Sequence, residues 1–556
     1  MKQHLSYFFF VLACGLMTAC VQKNASDASF GENPLHTFTV KLDEPGRPVW
    51  NVSDNVNIWS YGHKSRKKVD AEPDDYLKKQ LPFISYIQLM TAAGGNLDRD
   101  LFKDPTDRSV TDDYDFEPLV CACENFMRKG LIPHLKLGNV PMKYSIDPVK
   151  GRDFDVNLLP PYDYNLWHSY IKAMIQSLVD AFGVETVRAW RFGFITEYEN
   201  RDWFTIGDDS EKTRDACIKL YDYTVDAVQQ VLGENICIGA HSMTCGEGLW
   251  DERELIAHCG SGTNYCTGKT GTRLSFLASS YYDGCPGEFD KDKLPRVINH
   301  LRDAAIQAGF NDLFYGIDEG RLLFGLDKKD LASRDVGYTW QAAYDARIYR
   351  IMLDNDVDYF SRWAYTAKGL SEGIDAVTAH SARLFYRLNG ALRLPAETTS
   401  ANDKPSEETG LVAALDKEKN KLYLYLYAYS DSVFKQEKRD IQCDITGFGS
   451  KTKTLKAIRS LVSDDSNFFD EWTAAWKEMG LTDNDFGWSR ESFLISPPTV
   501  LDTLNVKKFY DKEDYYRSCA ELCPTTERLK VEDGVLTLRT TIPDHGVLLY
   551  EIDLGR

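Results

Sequence analysis

Residues 164–200 read YNLWHSYIKAMIQSLVDAFGVETVRAWRFGFITEYEN, and this stretch decides the fold class. Its first half repeats apolar side chains at spacings of three and four, from Ile171 to Phe182, as an amphipathic helix does. Its second half, VRAWRFGFI (187–195), is a short apolar run typical of a buried strand. A helix that leads directly into a buried strand is the repeating unit of a parallel α/β fold.

The same alternation continues from about residue 48 to residue 390. Further helices are predicted over 213–232 and 334–354. The other strand candidates are VNIWS (56–60), FISYIQLM (83–90), LIPHLKLG (131–138), NICIGAHS (235–242), LSFLASSYY (274–282), LFYGID (313–318) and DYFSRWAY (358–365). Eight strands separated by helices, with no glycine-rich phosphate loop, favour a closed TIM (β/α)₈ barrel over a doubly wound sheet.

After about residue 395 the pattern changes to strands alone. The stretch PAETTSANDKPSEETG (395–410) has the composition of a linker. Alternating strands are predicted beyond it, at 421–430, 439–445, 534–542 and 545–554. We therefore expect a β-sandwich over 391–556, joined by segment 36–47, which contains the strand TFTVKL (37–42).

The amino-acid composition excludes some classes of function and favours others. Hydrophobic residues make up 43% of the chain and aromatic residues 12%, enough for a large core and for flat platforms that suit sugar rings. The 84 acidic against 65 basic side chains give a net charge of −19. Such a charge argues against a nucleic acid partner, because phosphate binding needs clustered Lys and Arg.

The first twenty residues, MKQHLSYFFFVLACGLMTAC, have the form of an export signal. The ending Met17–Cys20 resembles a bacterial lipobox, which predicts a signal peptide over 1–19, lipidation of Cys20 and a tether over 20–35. An ordinary secretory signal is the alternative. The predicted location is the bacterial cell envelope, lipid-anchored at the outer membrane and facing the periplasm or the exterior. We expect membrane attachment through this lipid alone, because no later segment holds about 18 consecutive apolar residues.

The thirteen cysteines do not form a recognisable metal motif. None of them shows the paired C-x₂-C spacing of a zinc site, so we predict no metal and no cofactor. Export would permit disulfides among the cysteines of the mature chain.

Two of the predicted strands end in acidic residues. The fourth runs into Glu197 and the seventh into Glu319, and the carboxyl ends of barrel strands share one face. Two facing carboxylates are what retaining glycoside hydrolysis needs. Glu199 competes with Glu197, because the period of two in a strand places both on the same side, but position 197 lies closer to the strand end. Asp318 competes with Glu319 in the same way. The alternative is that the glutamates merely pair with arginines nearby in sequence.

Three stretches of the chain resemble glycoside hydrolase family 39, of the clan A barrels. They are DYDFEPLVCACENFMRKGLIPHLKLGNVP (113–141), the stretch 164–200, and SDDSNFFDEWTAAWKEMG (463–480). The resemblance, to a family that includes β-xylosidases and α-L-iduronidases, implies a retaining exo-glycosidase acting on oligo- or polysaccharides. It gives Glu197 the acid/base role and Glu319 the nucleophile role, and it places Trp363 under the sugar.

The chain departs from the family at three positions. Thr196 stands where the family has an Asn that holds the sugar 2-hydroxyl, Gln88 where it has an Arg, and Ser280 where it has a His. With Tyr282, His241 and Trp363, these residues form the predicted substrate-binding set, although His241 could equally be structural. The departures keep open a second function, a non-catalytic carbohydrate-binding lipoprotein on a degenerate barrel.

The acid/base assignment carries an electrostatic expectation. Apolar neighbours Ile195 and Tyr198 are expected to raise the pKa of Glu197, as a proton donor requires. The neighbouring cation Arg321 is expected to favour the ionised form of Glu319.

Overall fold

The computed structural model describes residues 30–58, 81–151, 155–285, 290–324, 339–362, 377–432, 436–449, 453–468 and 511–555, with a few positions between 471 and 478. The side chains of 285, 321–324 and 362 are not among them. Cys20, Trp363 and the signal and tether segments as far as residue 29 therefore lie outside the described residues. In the part that the structure describes, no helix is long and apolar enough to cross a membrane.

The first body is a closed barrel of eight parallel strands, hydrogen-bonded in chain order. The strands are β2 (Asn55–Ile58), β3 (Tyr86–Leu89), β4 (Ile132–Lys136), β5 (Arg191–Gly193), β6 (Cys237–Ser242), β7 (Phe276–Cys285), β8 (Phe314–Phe324) and β9 (Tyr359–Arg362). β9 pairs back onto β2 and closes the ring. The predicted barrel is confirmed.

Helices surround the barrel, and two of them begin at a capping aspartate. They are α1 (Glu117–Arg128), α2 (Tyr164–Phe182), α3 (Val184–Arg188), α4 (Ser210–Leu232), α5 (Arg253–Ser261), α6 (Lys293–Gln307), α7 (Thr339–Asp354) and α8 (Val377–Tyr386). The Asp163 side chain accepts a hydrogen bond from Asn165 N before α2, and Asp209 accepts one from Lys212 N before α4. Each carboxylate satisfies a backbone N–H that the first helical turn leaves unpaired.

The second body is one large, mostly antiparallel ten-stranded sheet. Its strands are β1 (Leu35–Lys41), β10 (Leu392–Leu394), β11 (Ala396–Ser400), β12 (Glu407–Asp416), β13 (Lys421–Ser430), β14 (Lys438–Thr446), β15 (Lys453–Val462), β16 (Thr525–Glu532), β17 (Val535–Pro543) and β18 (Val547–Asp553), with a short helix α9 (Glu513–Cys519) before β16. The order is β10-β12-β13-β18-β15-β16-β17-β14-β1-β11. Leu424 of β13 and Ile441 of β14 lie in one apolar cluster, so distant parts of the sheet share a core.

The early segment belongs to this sheet. β1 pairs in parallel with β14 and antiparallel with β11, although nearly 400 residues separate it from them along the chain. The two bodies meet at α7, where Arg350 donates to Tyr427 OH at 2.7 Å and to Glu408 Oε1 at 2.8 Å. Arg347 donates to the other oxygen of Glu408 at 3.0 Å. One carboxylate thus links the last long barrel helix to the sheet.

Two local predictions were wrong. The linker predicted at 395–410 contains strand β11 and the start of β12. The strand predicted at 187–195 shrinks to the three residues of β5, because Val184–Arg188 forms the short helix α3. Short apolar runs fit either element, and the backbone reversal at Gly183 (φ +84°) starts a helical turn there.

Candidate active site

Glu197 lies in a turn after β5, on the face where the barrel strands end. Its backbone φ is +45°, a left-handed conformation that non-glycine residues rarely adopt. The turn is held by Tyr198 N donating to His241 O at 3.0 Å and Asn200 N donating to Glu197 O at 2.7 Å. A strained backbone retained by surrounding hydrogen bonds is typical of a functional position.

The carboxylate of Glu197 is held by two donors. Ser280 Oγ donates to Oε1 at 2.5 Å, and Asn200 Nδ2 donates to Oε2 at 2.5 Å. Behind Ser280 lies His241, whose Nε2 is 2.9 Å from Ser280 Oγ. The side chain of Glu197 is thereby fixed in one direction, with 8% of the residue exposed.

Glu319 lies beside this network, on β8. The register of β7 against β8 shifts between Ser279 and Ser280, and this irregularity sets Ser280 opposite Glu319. Tyr282 OH donates to Glu319 Oε1 at 2.5 Å, whereas Oε2 has no hydrogen-bond partner among the described residues. Because Ser280 bonds to Glu197 and is the strand partner of Glu319, the two glutamates belong to one site.

A buried ion pair lies directly behind the two glutamates. Lys136 Nζ, at the end of β4, donates to Asp318 Oδ2, and both side chains have 0% exposure. Tyr359 OH donates to the other oxygen of Asp318 at 2.5 Å. A Cβ at position 193 would lie 2.6 Å from Lys136 Cδ, so glycine there makes room for the lysine.

Electrostatics differ strongly between these carboxyl groups. Burial would raise the pKa of Asp318, but Lys136 and the neighbouring histidines lower it below its usual range. Burial raises the pKa of Glu197, against the effect of its two donors. Burial and then the charge of Glu197 raise the pKa of Glu319 to about 8, against the effects of Tyr282 and Lys136.

The expected lowering of the Glu319 pKa is therefore not found. Its proposed source, the side chain of Arg321, lies outside the described residues. Two buried carboxyl groups that repel each other hold one proton between them near neutral pH. Such a pair provides one proton donor and one carboxylate.

The competing carboxylates have other partners. Glu199 Oε1 accepts from Met243 N at 2.7 Å, and burial raises the pKa of Glu199 well above its usual range. The expectation that 197 and 199 lie on the same side of a strand was wrong, because both residues lie in a turn, and their carboxyl groups contact different residues. Asp318 is bound to Lys136 and fully buried, which leaves Glu319 as the acid with an unpartnered oxygen.

The predicted substrate-binding residues have mainly protein partners in the structure. Gln88 Nε2 donates to the carbonyl of Asp318 at 3.2 Å, and Thr196, Gln88, His241 and Ser280 all have 0–1% exposure. Tyr282 is half-buried beside Glu319. These side chains line the back of the site, and their substrate contacts stay predictions.

Sequence reasoning missed Lys136 and Asn200. Lys136 is the only charged residue in the apolar run LIPHLKLG, a signal that could have marked it as an interior charge. Asn200 gave no signal, because only the turn after β5 brings it back to Glu197. The site therefore contains a side-chain amide, although position 196 is Thr. Asn200, four positions later, supplies this amide, and it donates to Glu197.

Comparisons with known proteins relate this chain to one family of enzymes. Residues 87–293 match the family model of the Glycosyl hydrolases family 39. A β-xylosidase from Geobacillus stearothermophilus is 23% identical over 137 residues, which are 25% of this chain and 26% of that enzyme. The match thus spans about a quarter of the length of this relative.

Solved structures share the fold over nearly the whole chain. A monomeric β-xylosidase from Caulobacter crescentus superposes with a TM-score of 0.62 at 16% identity, covering 93% of this chain and 99% of the other. A bacterial orthologue of human α-L-iduronidase gives a TM-score of 0.63 at 13% identity, covering 94% and 84%. The resemblance seen in the sequence is therefore confirmed: the chain carries a domain of the Glycosyl hydrolases family 39 over residues 87–293.

Proposed function

We propose that this protein is a retaining exo-glycosidase that uses Glu197 and Glu319 in a double displacement. The observation that carries the proposal is the pair of buried glutamates on either side of Ser280, one held by two donors and the other with an unpartnered oxygen. The matching family model and the β-xylosidase relative support glycoside hydrolysis as the reaction class.

In the first step the Glu319 carboxylate attacks the anomeric carbon. The glycosidic C–O bond breaks, and Glu197 gives its proton to the leaving oxygen, so that a glycosyl ester on Glu319 and a free alcohol result. In the second step ionised Glu197 takes a proton from water. The water oxygen bonds to the anomeric carbon, and Glu319 leaves as a carboxylate.

The contacts of the two glutamates suit these roles. The Ser280 and Asn200 donors can stabilise Glu197 after it has lost its proton. Burial and the charge of Glu197 raise the pKa of Glu319 more than Tyr282 and Lys136 lower it. The attack therefore requires the shared proton to lie on Glu197, because protonation removes the Glu197 charge and leaves Tyr282 and Lys136 to favour the ionised form of Glu319. The named relatives make pentoside and uronide substrates the first classes to test.

A panel of 4-nitrophenyl glycosides, beginning with β-D-xyloside and α-L-iduronide, tests the proposal on the full chain. We expect turnover with retention of anomeric configuration. The configuration is measured by ¹H NMR of the sugar that is formed first. Glu319→Ala should abolish turnover, and added azide should restore it as a glycosyl azide of inverted configuration. Glu197→Ala should slow poor leaving groups most, and azide should give the retained azide.

Glu199→Gln is the matched control, because Glu199 is equally buried but bonds to Met243 N outside the pair. Full activity in either Glu197 or Glu319 variant would refute the role of that residue. Sugar binding by the wild type without turnover on any substrate would instead favour the carbohydrate-binding lipoprotein.

We also propose that the protein is anchored in the bacterial envelope by lipid on Cys20. The apolar run that ends in Met17–Cys20 supports this, and these residues lie outside the described part of the structure. Cys20→Ser should move the protein from the membrane fraction to the soluble fraction and stop labelling with radioactive palmitate. Cys14→Ser is the control and should leave both unchanged, since Cys14 belongs to the cleaved segment.

A further inference from the structure

A second polar cluster is formed by the segment after β6 and by the helices α5 and α6. Cys245 follows β6, Glu252 immediately precedes α5, and His300 lies on α6. One ligand atom from each, a thiol sulfur, a carboxylate oxygen and an imidazole nitrogen, lie within 4.8 Å of one another. Sulfur, nitrogen and oxygen in one cluster are the donor types that zinc prefers.

The contact between Glu252 and His300 is not a hydrogen bond, whereas the Cys245 thiol is hydrogen-bonded to Glu252. His300 Nε2 lies 2.5 Å from Glu252 Oε1, yet neither atom has a hydrogen-bond partner of acceptable geometry among the described residues. The Glu252 side chain has 2% exposure. A buried carboxylate oxygen and a ring nitrogen that converge without a hydrogen bond can serve as two ligands of one ion, which would hold them about 3.3 Å apart at the bond lengths of tetrahedral zinc.

A comparable cluster in the same chain behaves differently. His168 Nε2, Gln230 Nε2 and Cys266 Sγ all contact the one oxygen Asp226 Oδ2, at 2.8, 2.7 and 3.5 Å. Each of these contacts is a hydrogen bond, and the acceptor they surround is saturated. That cluster needs no ion, and it offers a matched control.

We propose that Cys245, Glu252 and His300 bind one zinc-class divalent ion, with water in the fourth position. Zinc holds nitrogen and oxygen at about 2.0–2.2 Å and sulfur at about 2.3 Å, so the three donors need only small shifts to share it. The sequence predicted no metal site, because the three ligands lie on three separate elements and form no short motif.

The site would fasten the loop 243–252 to α6. The same loop packs on the active-site turn, since Met243 N donates to Glu199 Oε1 and Leu249 N donates to Glu199 O at 2.8 Å. An ion here would link this wall of the barrel mouth to α6 and should stabilise the fold, because an ion that binds only the folded chain adds to its folding free energy.

Titration of the metal-free full chain with Co²⁺ and Zn²⁺ tests the site. We expect one Co²⁺ per chain, with a thiolate-to-cobalt charge-transfer band in the near ultraviolet that Zn²⁺ removes. Zn²⁺ should also raise the melting temperature. Cys245→Ser and His300→Ala should each weaken Zn²⁺ binding by at least about a hundredfold, the upper range for loss of even an outer-shell contact.

Cys266→Ser and His168→Ala should leave the band, the stoichiometry and the melting shift unchanged. Absence of the charge-transfer band in a folded wild-type chain, or an undiminished band in Cys245→Ser, would overturn the proposal. These readouts do not depend on turnover, so they separate this site from the proposed glycosidase activity.

Discussion

The barrel buries two cations at its two ends, and their surroundings differ. At the floor, Arg191 of β5 lies among aromatic rings, with its guanidinium carbon 4.2 Å from the ring centre of Tyr86 and 4.3 Å from that of Tyr359. At the mouth, Lys136 of β4 is bonded to Asp318, next in sequence to Glu319. The aromatic box stabilises a charge without a reactive neighbour, whereas the lysine acts on carboxyl groups that can exchange a proton.

We expect that only Lys136, the cation at the barrel mouth, affects catalytic turnover. Both residues should matter for folding, because each is a buried charge in a tightly packed interior. Only Lys136 should also change how the rate of turnover depends on pH, since its charge lowers the pKa of both Glu197 and Glu319.

The largest effect is expected from Lys136→Met. It leaves Asp318 charged, buried and without its cation, which should cost about 3–5 kcal/mol in the free energy of unfolding. Urea unfolding measures this cost, and the pH profile of kcat/KM measures the shift of its acidic limb to higher pH.

The double variant Lys136→Met/Asp318→Asn is the control for Lys136. It removes both charges, so we expect most of the stability to return. The acidic limb should stay displaced, but by less than in Lys136→Met, because the lost Asp318 charge had raised the pKa of Glu319 by less than Lys136 lowered it. An unchanged pH profile in the folded double variant would contradict the assigned role of Lys136.

A smaller loss should follow from Arg191→Met. The variant gives up the contacts with the rings and with the nearby carboxylate of Asp54, and we expect about 2–3 kcal/mol in urea unfolding. Its pH profile of kcat/KM should match that of the wild type. A displaced acidic limb would show that the floor and the mouth are electrostatically coupled.

Glu319→Gln should stabilise the protein, and only at high pH. The folded protein holds the proton of Glu319 up to about pH 8, whereas an unfolded chain loses it near pH 4.5, so wild-type stability declines as pH rises through this window. Glutamine avoids this cost. We expect similar urea midpoints at pH 4 and a variant that is more stable above pH 8, by about 1.4 kcal/mol for each unit by which folding raises the pKa.

Gly193→Ala tests the packing around the mouth cation. The new Cβ would lie 2.6 Å from Lys136 Cδ, and we expect a loss of about 1–2 kcal/mol with reduced turnover as the lysine is displaced. Gly449→Ala is the control, since nothing lies within 4 Å of a Cβ there. Equal stability and turnover in both variants would show that position 193 has spare room.

Elements with a strong hydrophobic pattern were predicted from the sequence, and elements without one were not. Barrel strands buried on both faces leave apolar runs such as LIPHLKLG, and helices such as α2 leave a repeat at three and four residues. Strand β11 is exposed at all five positions and left no such trace, so its Thr- and Ser-rich sequence resembled a linker. Edge strands pair through the backbone, which composition does not record.

The sequence by itself determined the two-body architecture, and it placed Glu197 after the fourth barrel strand and Glu319 at the seventh, where the structure has Glu319 inside β8 (Phe314–Phe324). Both follow from local periodicity, because strands are recognised by a pattern along the chain. Only the tertiary structure decided that Lys136 supports Asp318, that Asn200 turns back onto Glu197, and that Ser280 lies between the two glutamates. These contacts join β4 to β8 and β7 to the turn after β5, and they arise because closing a barrel brings residues that are far apart in sequence to one face.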